Sequence, residues 1–134
     1  MARIYNLKRG DSFPEEVIKI AEREGISTAV LNAIGGVEKL KLAYYNMKEK
    51  RYEEHEYSEF MEVAGIVGNI TQKEGKPFLH AHGTFGRRDM SVIGGHVMAA
   101  TVCPILEVII TPTDNRALRH FDEEFGLNII YRTE

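Results

Sequence analysis

The stretch Ser12–Gly36, SFPEEVIKIAEREGISTAVLNAIGG, changes its hydrophobic period at one glycine. Before Gly25, the apolar residues Phe13, Val17, Ile20 and Ala21 recur at helical spacing. Ser12 is expected as the N-cap, with Glu15 reaching back to it and Pro14 inside the first turn. Gly25 supplies the left-handed stop. From Ser27 to Ile34 the composition turns β-rich, and the run closes on Gly35–Gly36. One amphipathic helix followed by strand-forming sequence predicts an α+β domain.

Reading outward, the strand signals dominate. Arg3–Leu7 alternates weakly and predicts a first strand, and Leu40, Leu42 and Tyr44 alternate with Lys39, Lys41 and Ala43. Lys48–Lys50 is a turn, from which Arg51–Tyr57 returns as a polar strand. Phe60–Val67 is a further strand with a bulge at its glycines, and Glu74–Pro77 is a turn. Phe78–Phe85, Val92–Val102, Leu106–Thr111 and Leu127–Tyr131 complete the set, with Asp114 capping a short second helix through Phe121. The expected fold is a mainly antiparallel sheet packed with one main helix and that short second one.

Composition narrows the function classes. The 134 residues predict a single domain, long enough to bury about two-thirds of its unfolded surface. Seventeen basic and 20 acidic residues leave a formal charge of −3, which speaks against nucleic-acid binding by bulk charge. With Cys103 as the one cysteine, neither an internal disulfide nor a cysteine-based zinc cluster can form. The N-terminus has no apolar signal region, and Val92–Leu106 is too short and too interrupted to span a bilayer. A cytoplasmic, reducing location is expected, with no membrane partner.

The chemistry concentrates on histidine. Phe78-Leu79-His80-Ala81-His82-Gly83 sets His80 and His82 two residues apart on a strand, so both imidazoles share a face. Gly86-Arg87-Arg88-Asp89 reads as a hairpin loop. A hairpin centred near Asp89 places position 82 opposite position 96, which is also a histidine, preceded by Gly94–Gly95. An H-x-H pair alone is commonly a half-exposed polar face. Three imidazoles converging from two strands instead match a tetrahedral zinc site with one open position, and nickel or copper also accept imidazole.

Other residues have plainer readings. Glu107, set in Ile105–Ile110, is a candidate catalytic or orienting carboxylate, or else the partner of Arg87 or Arg119. His55 and His120 read as solvated, Cys103 as a small buried residue, and Tyr44–Tyr45 as packing or the wall of a cleft. The acids between Glu53 and Glu62 read as a solvated sheet edge. No phosphate-loop, dinucleotide or G-x-S-x-G motif occurs.

Across nearly the whole length the chain resembles the plants and prokaryotes conserved domain family, in its stand-alone prokaryotic form. The resemblance is carried by Ala33-Ile34-Gly35-Gly36-Val37, Leu42-Ala43-Tyr44-Tyr45-Asn46, Gly65-Ile66-Val67-Gly68-Asn69-Ile70, Pro77-Phe78-Leu79-His80-Ala81-His82, Gly94-Gly95-His96-Val97-Met98 and Leu106-Glu107-Val108-Ile109-Ile110. It implies an α+β fold, a homotrimer and a metal on His80, His82 and His96, with a small-molecule ligand or substrate unspecified. Plant relatives bind DNA through an R-G-R-P hook that enters the minor groove. That string is absent here; Arg87 and Arg88 are the nucleic-acid candidates of the alternative, DNA-associated reading.

Overall fold

The protein is described as a computed structural model covering residues 1–134. Its elements are β1 (Arg3–Lys8), β2 (Ser12–Phe13), α1 (Glu15–Glu24), β3 (Ala29–Asn46), β4 (Arg51–Tyr57) and β5 (Met61–Lys73). These are followed by β6 (Lys76–Gly86), β7 (Val92–Pro112), β8 (Ala117–Asp122) and β9 (Leu127–Thr133). The sheet runs β4-β3-β7-β6-β5-β8-β9, with β1 and β2 paired to β7. Because β3 also pairs with β5, the strands β3, β7, β6 and β5 close into a circuit. All pairings are antiparallel except the short β5–β8 contact.

Alternation decides which side faces inward. Leu31, Ala33, Ile66, Ile70, Ala81, Leu106, Val108 and Ile110 point into one cluster of 24 buried residues. Helix α1 lays Val17, Ile20 and Ala21 into the same cluster. It ends at Gly25, whose φ of 65° is the left-handed conformation expected there. No helix of the chain is long and apolar enough to cross a membrane.

The helix begins differently from the expectation. Pro14 is the N-cap and no side chain caps it, while Ser12 and Phe13 pair with Thr101 and Ala100 of β7. Phe13 is fully buried, and its β-bridge holds Ser12 away from the helix end.

The short second helix from Asp114 to Phe121 is also corrected: this segment contains β8. Ala117 and Arg119 are buried and flank the more exposed Leu118, which is a period of two. Leu118 and Arg119 pair with Gln72 and Lys73 of β5, and the strand then turns back into β9. An eight-residue helix has little intrinsic stability, so the pairing prevails.

Two long strands absorb what composition divides. β3 runs through Gly35–Gly36, and β7 runs through Cys103–Pro104. Between them, Gly35 faces Leu106 while Val37 faces Val102, so the extra residues of β7 bulge there. A bulge spares Pro104 from a ladder position needing an N–H. Gly35 has a φ of 148°, and a Cβ on it would strike the Ile105 backbone, so the crossing requires glycine.

Candidate metal centre

The β6–β7 hairpin has the register expected from the sequence. His82 faces His96, Gly83 faces Gly95 and Thr84 faces Gly94. The loop is closed by Arg87 N donating to Ser91 O and Met90 N donating to Arg87 O, at 2.8 and 2.9 Å. Asp89 accepts from Ser91 N at 2.9 Å, and its hydrogen bonds to the Ser91 side chain and backbone hold its carboxyl below the usual range.

Ala81 is buried between His80 and His82, which turns both imidazoles to the outer face of the sheet. One ring nitrogen from each of His80, His82 and His96 lies within 4.8 Å of the others. Ring centroids are 4.9 Å apart for His80–His82, 5.4 Å for His80–His96 and 5.5 Å for His82–His96. The close approach depends on absent side chains. A Cβ at Gly94 would lie 2.8 Å from Gly83 O, and one at Gly95 would lie 3.0 Å from Ala43 O.

His80 Nε2 and His82 Nε2 are 3.2 Å apart. That distance suits a neutral imidazole pair sharing one proton. It equally suits two ligands of one ion, since metal–nitrogen bonds of about 2.05 Å would then subtend roughly 103°. His96 stands beside this pair. Its Nδ1 is buried and has no hydrogen-bond partner, so a third imidazole beside the pair carries a polar atom the protein leaves unsatisfied.

The electrostatics keep lone pairs available. Burial, then the neighbouring His80 and His82, pull His96 down to about 4. Burial lowers His80 too, reinforced by His82 and Arg119. Both rings are therefore neutral at pH 7, the protonation state that a metal requires.

The three histidines open on a cavity of about 750 Å³ whose wall also includes Tyr52, Arg119 and Asn128. Tyr52 packs against the His96 ring at 4.6 Å between centroids. Tyr44 and Tyr45 both line this cavity, and Tyr45 hydroxyl donates to the Phe125 carbonyl. Arg119 is 8% exposed and donates to Thr71 Oγ1 at 2.8 Å, Asn128 O at 2.8 Å and Asn69 Oδ1 at 3.0 Å. From sequence alone Arg119 reads only as a partner for Glu107. Once Ala117–Asp122 is seen as a strand, Arg119 shares the inward face with Ala117.

The remaining candidates lie elsewhere. Glu107 is exposed on β7, opposite Asn6 and Ile34, and does not line the cavity. It alternates with the buried Leu106 and Val108, so the apolar run around it is one-sided rather than enclosing. Arg87 pairs with Glu59 at 2.5 Å, and Arg88 is exposed beside it. His55 is exposed on β4; His120 is exposed on β8, with its ring 4.4 Å from that of Tyr131. Cys103 is only partly buried. The acids of β4 do stand at a sheet edge, with Glu54 and Glu56 flanking Lys41.

Comparisons with known proteins agree on the fold. A metal-containing protein from Archaeoglobus fulgidus has 32% identity and a TM-score of 0.93, covering 98% of this chain and 94% of that one. A protein named as a candidate DNA-binding protein, from Bacteroides thetaiotaomicron, has 28% identity and a TM-score of 0.92, with coverage of 96% and 90%. A plant- and prokaryote-conserved protein from Pyrococcus horikoshii has 24% identity and a TM-score of 0.91, with coverage of 100% and 93%. No curated protein matches the chain. The family model described as the Plants and Prokaryotes Conserved (PCC) domain matches residues 2–114, and the chain belongs to that family.

Proposed function

We propose that this chain is a homotrimeric metal-binding protein that holds one divalent ion, zinc, on His80, His82 and His96. The observation carrying this reading is the convergence of three imidazole nitrogens within 4.8 Å on the wall of a cavity. The donor set suits zinc, which accepts neutral nitrogen and needs a rigid, nearly tetrahedral frame. A zinc ion there supplies Lewis acidity toward an oxygen-bearing small molecule in the cavity. The two adjacent strands hold the ligands in place, and the cavity gives a ligand access to them.

The trimer is supported by the outer face of the sheet. Ile4, Val30, Ile34, Val67 and Ile105 are all exposed there, between 36% and 73%. Asn32 of β3 pairs with both Val67 and Ile109, and Ile109 with Ile4, so much of this patch is continuous. An outward apolar face of this kind commonly marks an interface.

The DNA-binding name carried by a relative is less well supported on this chain. Phosphate contacts would fall to Arg87 and Arg88, of which Arg87 is already engaged by Glu59. The chain's net charge of −3 gives no attractive field.

Elemental analysis of untagged protein purified without chelator tests the metal site. One zinc per chain is expected, and His82→Ala should weaken zinc binding by about 100-fold or more, beyond the effect of losing an orienting group. Protein that stays metal-free after incubation with zinc, or an unaltered His82→Ala variant, would overturn the reading.

A further inference from the structure

Arg119 is a buried guanidinium to which this chain supplies no counter-ion. It takes part in none of the ion pairs of the structure, although the sequence holds 20 acidic residues. Its three hydrogen bonds, to Thr71, Asn128 and Asn69, all go to neutral oxygens. A guanidinium has five N–H groups, so two remain for an acceptor outside this network. Burying such a charge without an anion is costly, and the cost is conspicuous because a carboxylate partner is the ordinary remedy.

Arg119 lies in the wall of the histidine cavity. Asn69, which accepts from its Nη2, is the register partner of His80 across β5 and β6. Its guanidinium also sits 5.1 Å from the centroid of Phe78, two residues before His80 on the same face. The cavity wall contains no aspartate or glutamate, and more than half of it is apolar. Two of the three buried polar side-chain atoms that lack any partner, His96 Nδ1 and Asn128 Oδ1, belong to residues of this wall. A cationic, acid-free and mostly apolar chamber is built to receive its negative charge from outside.

We infer that the cavity binds a small organic carboxylate, its anionic end held between Arg119 and the metal of the three histidines. The inference rests on the metal reading above and names the class of ligand that site takes. Phosphate fits less well, because its additional oxygens call for a cradle of N–H donors, and beyond the metal the mostly apolar wall offers one arginine. The apolar remainder of the ligand lies against Leu79, Leu127 and Ile129, and a hydroxyl on it satisfies Asn128 Oδ1.

Titration calorimetry of zinc-loaded protein with acetate, lactate, pyruvate and inorganic phosphate tests this, alongside visible absorption of the cobalt-substituted form. At least one carboxylate should bind, should shift the cobalt bands, and should bind at least tenfold more weakly after zinc is stripped. Arg119→Lys should lose at least tenfold in carboxylate affinity while zinc content and circular dichroism stay at wild-type values. Should Arg119→Lys fail to fold, Met98→Glu serves in its place: it puts a carboxylate into the same cavity with Arg119 intact, and it should abolish binding of the added anion. Phosphate binding more tightly than every carboxylate would overturn the inference, as would equal carboxylate affinity with and without zinc. Protein that retains one zinc but shows no carboxylate heat refutes the ligand alone, whereas protein that retains no zinc refutes the metal reading beneath it.

Discussion

Replacing Gly94 by alanine tests whether the strands carrying the three histidines approach as closely as the structure requires. The added Cβ would sit 2.8 Å from the Gly83 carbonyl oxygen and 3.4 Å from Thr84 Cγ2. Oxygen and carbon want about 3.3 Å, so β6 and β7 must part by roughly 0.5 Å, and the obstacle is backbone that cannot rotate aside. Overpacking of this kind costs about 1–3 kcal/mol. With an unfolding entropy near 2.1 cal/mol/K per residue, 2 kcal/mol in a chain of this length lowers Tm by about 7 °C. Gly65→Ala is the internal control: its Cβ meets only Thr84 Oγ1, at 3.9 Å. That change should be neutral, or stabilising by up to about 1 kcal/mol through the unfolded state. Urea unfolding of the chelator-treated variants reads the difference, expected at about 2–3 kcal/mol. Zinc affinity of Gly94→Ala should fall about tenfold as well, because ligand positions tolerate errors of only about 0.5 Å. Variants that unfold within 0.5 kcal/mol of each other would refute the close approach and the site geometry built on it.

Two further outcomes follow from burial. His96 is held near 4 in the folded chain against about 6.5 unfolded, so the unfolded state takes up the proton first as pH falls. Stability of the metal-free protein should therefore be complete above about pH 6.5 and decline toward pH 4, by about 1–2 kcal/mol once solvent screening of a partly exposed ring is allowed for; a urea midpoint that falls equally in His96→Gln would contradict this. For the trimer, sedimentation equilibrium should give three times the 15.2 kDa chain mass, with Ile34→Asp reverting to one chain, and a wild-type monomer at tens of micromolar would refute the assembly.

The site was more legible than parts of the fold, for a physical reason. A hairpin obeys simple counting, so the loop at Gly86–Asp89 and a two-residue period suffice to set His82 against His96. The periodicity of α1 and its glycine stop are equally local. What local pattern did not show depends on distant partners. Ser12 looks like a cap until β7 claims it, and Asp114–Phe121 looks helical until β5 and β9 pair with its second half. Glu107 looks enclosed because its neighbours are apolar, yet in a strand those neighbours bury the opposite face. Arg119 is the instructive omission. Thr71, Asn69 and Phe78 reach it only through the β5–β8 contact, and its one nearby partner, Asn128, offers a backbone carbonyl that no side-chain pattern reveals.

That same contact explains how an acidic chain can carry an acid-free cation. Carboxylates crowd β4, where Glu53, Glu54 and Glu56 stand at the sheet edge and Lys41 answers two of them. β8 and β9 stand at the other end of the strand order and meet β4 across the cavity, but the β4 residue in that wall is Tyr52 and none of the three acids lines it. The side chains that bring Arg119 to the histidines are hydroxyl and amide groups, which orient a guanidinium without neutralising it. Replacing Asn69 by aspartate would supply the missing charge at an atom already 3.0 Å from Arg119 Nη2. The folded chain would then gain an internal ion pair, and the cavity would lose its demand for an external anion. A protein whose only requirement at Arg119 were stability would be served by that single change. The neutral asparagine is what leaves the positive charge unpaired in the cavity wall, beside His80 and His96, whose rings burial keeps uncharged.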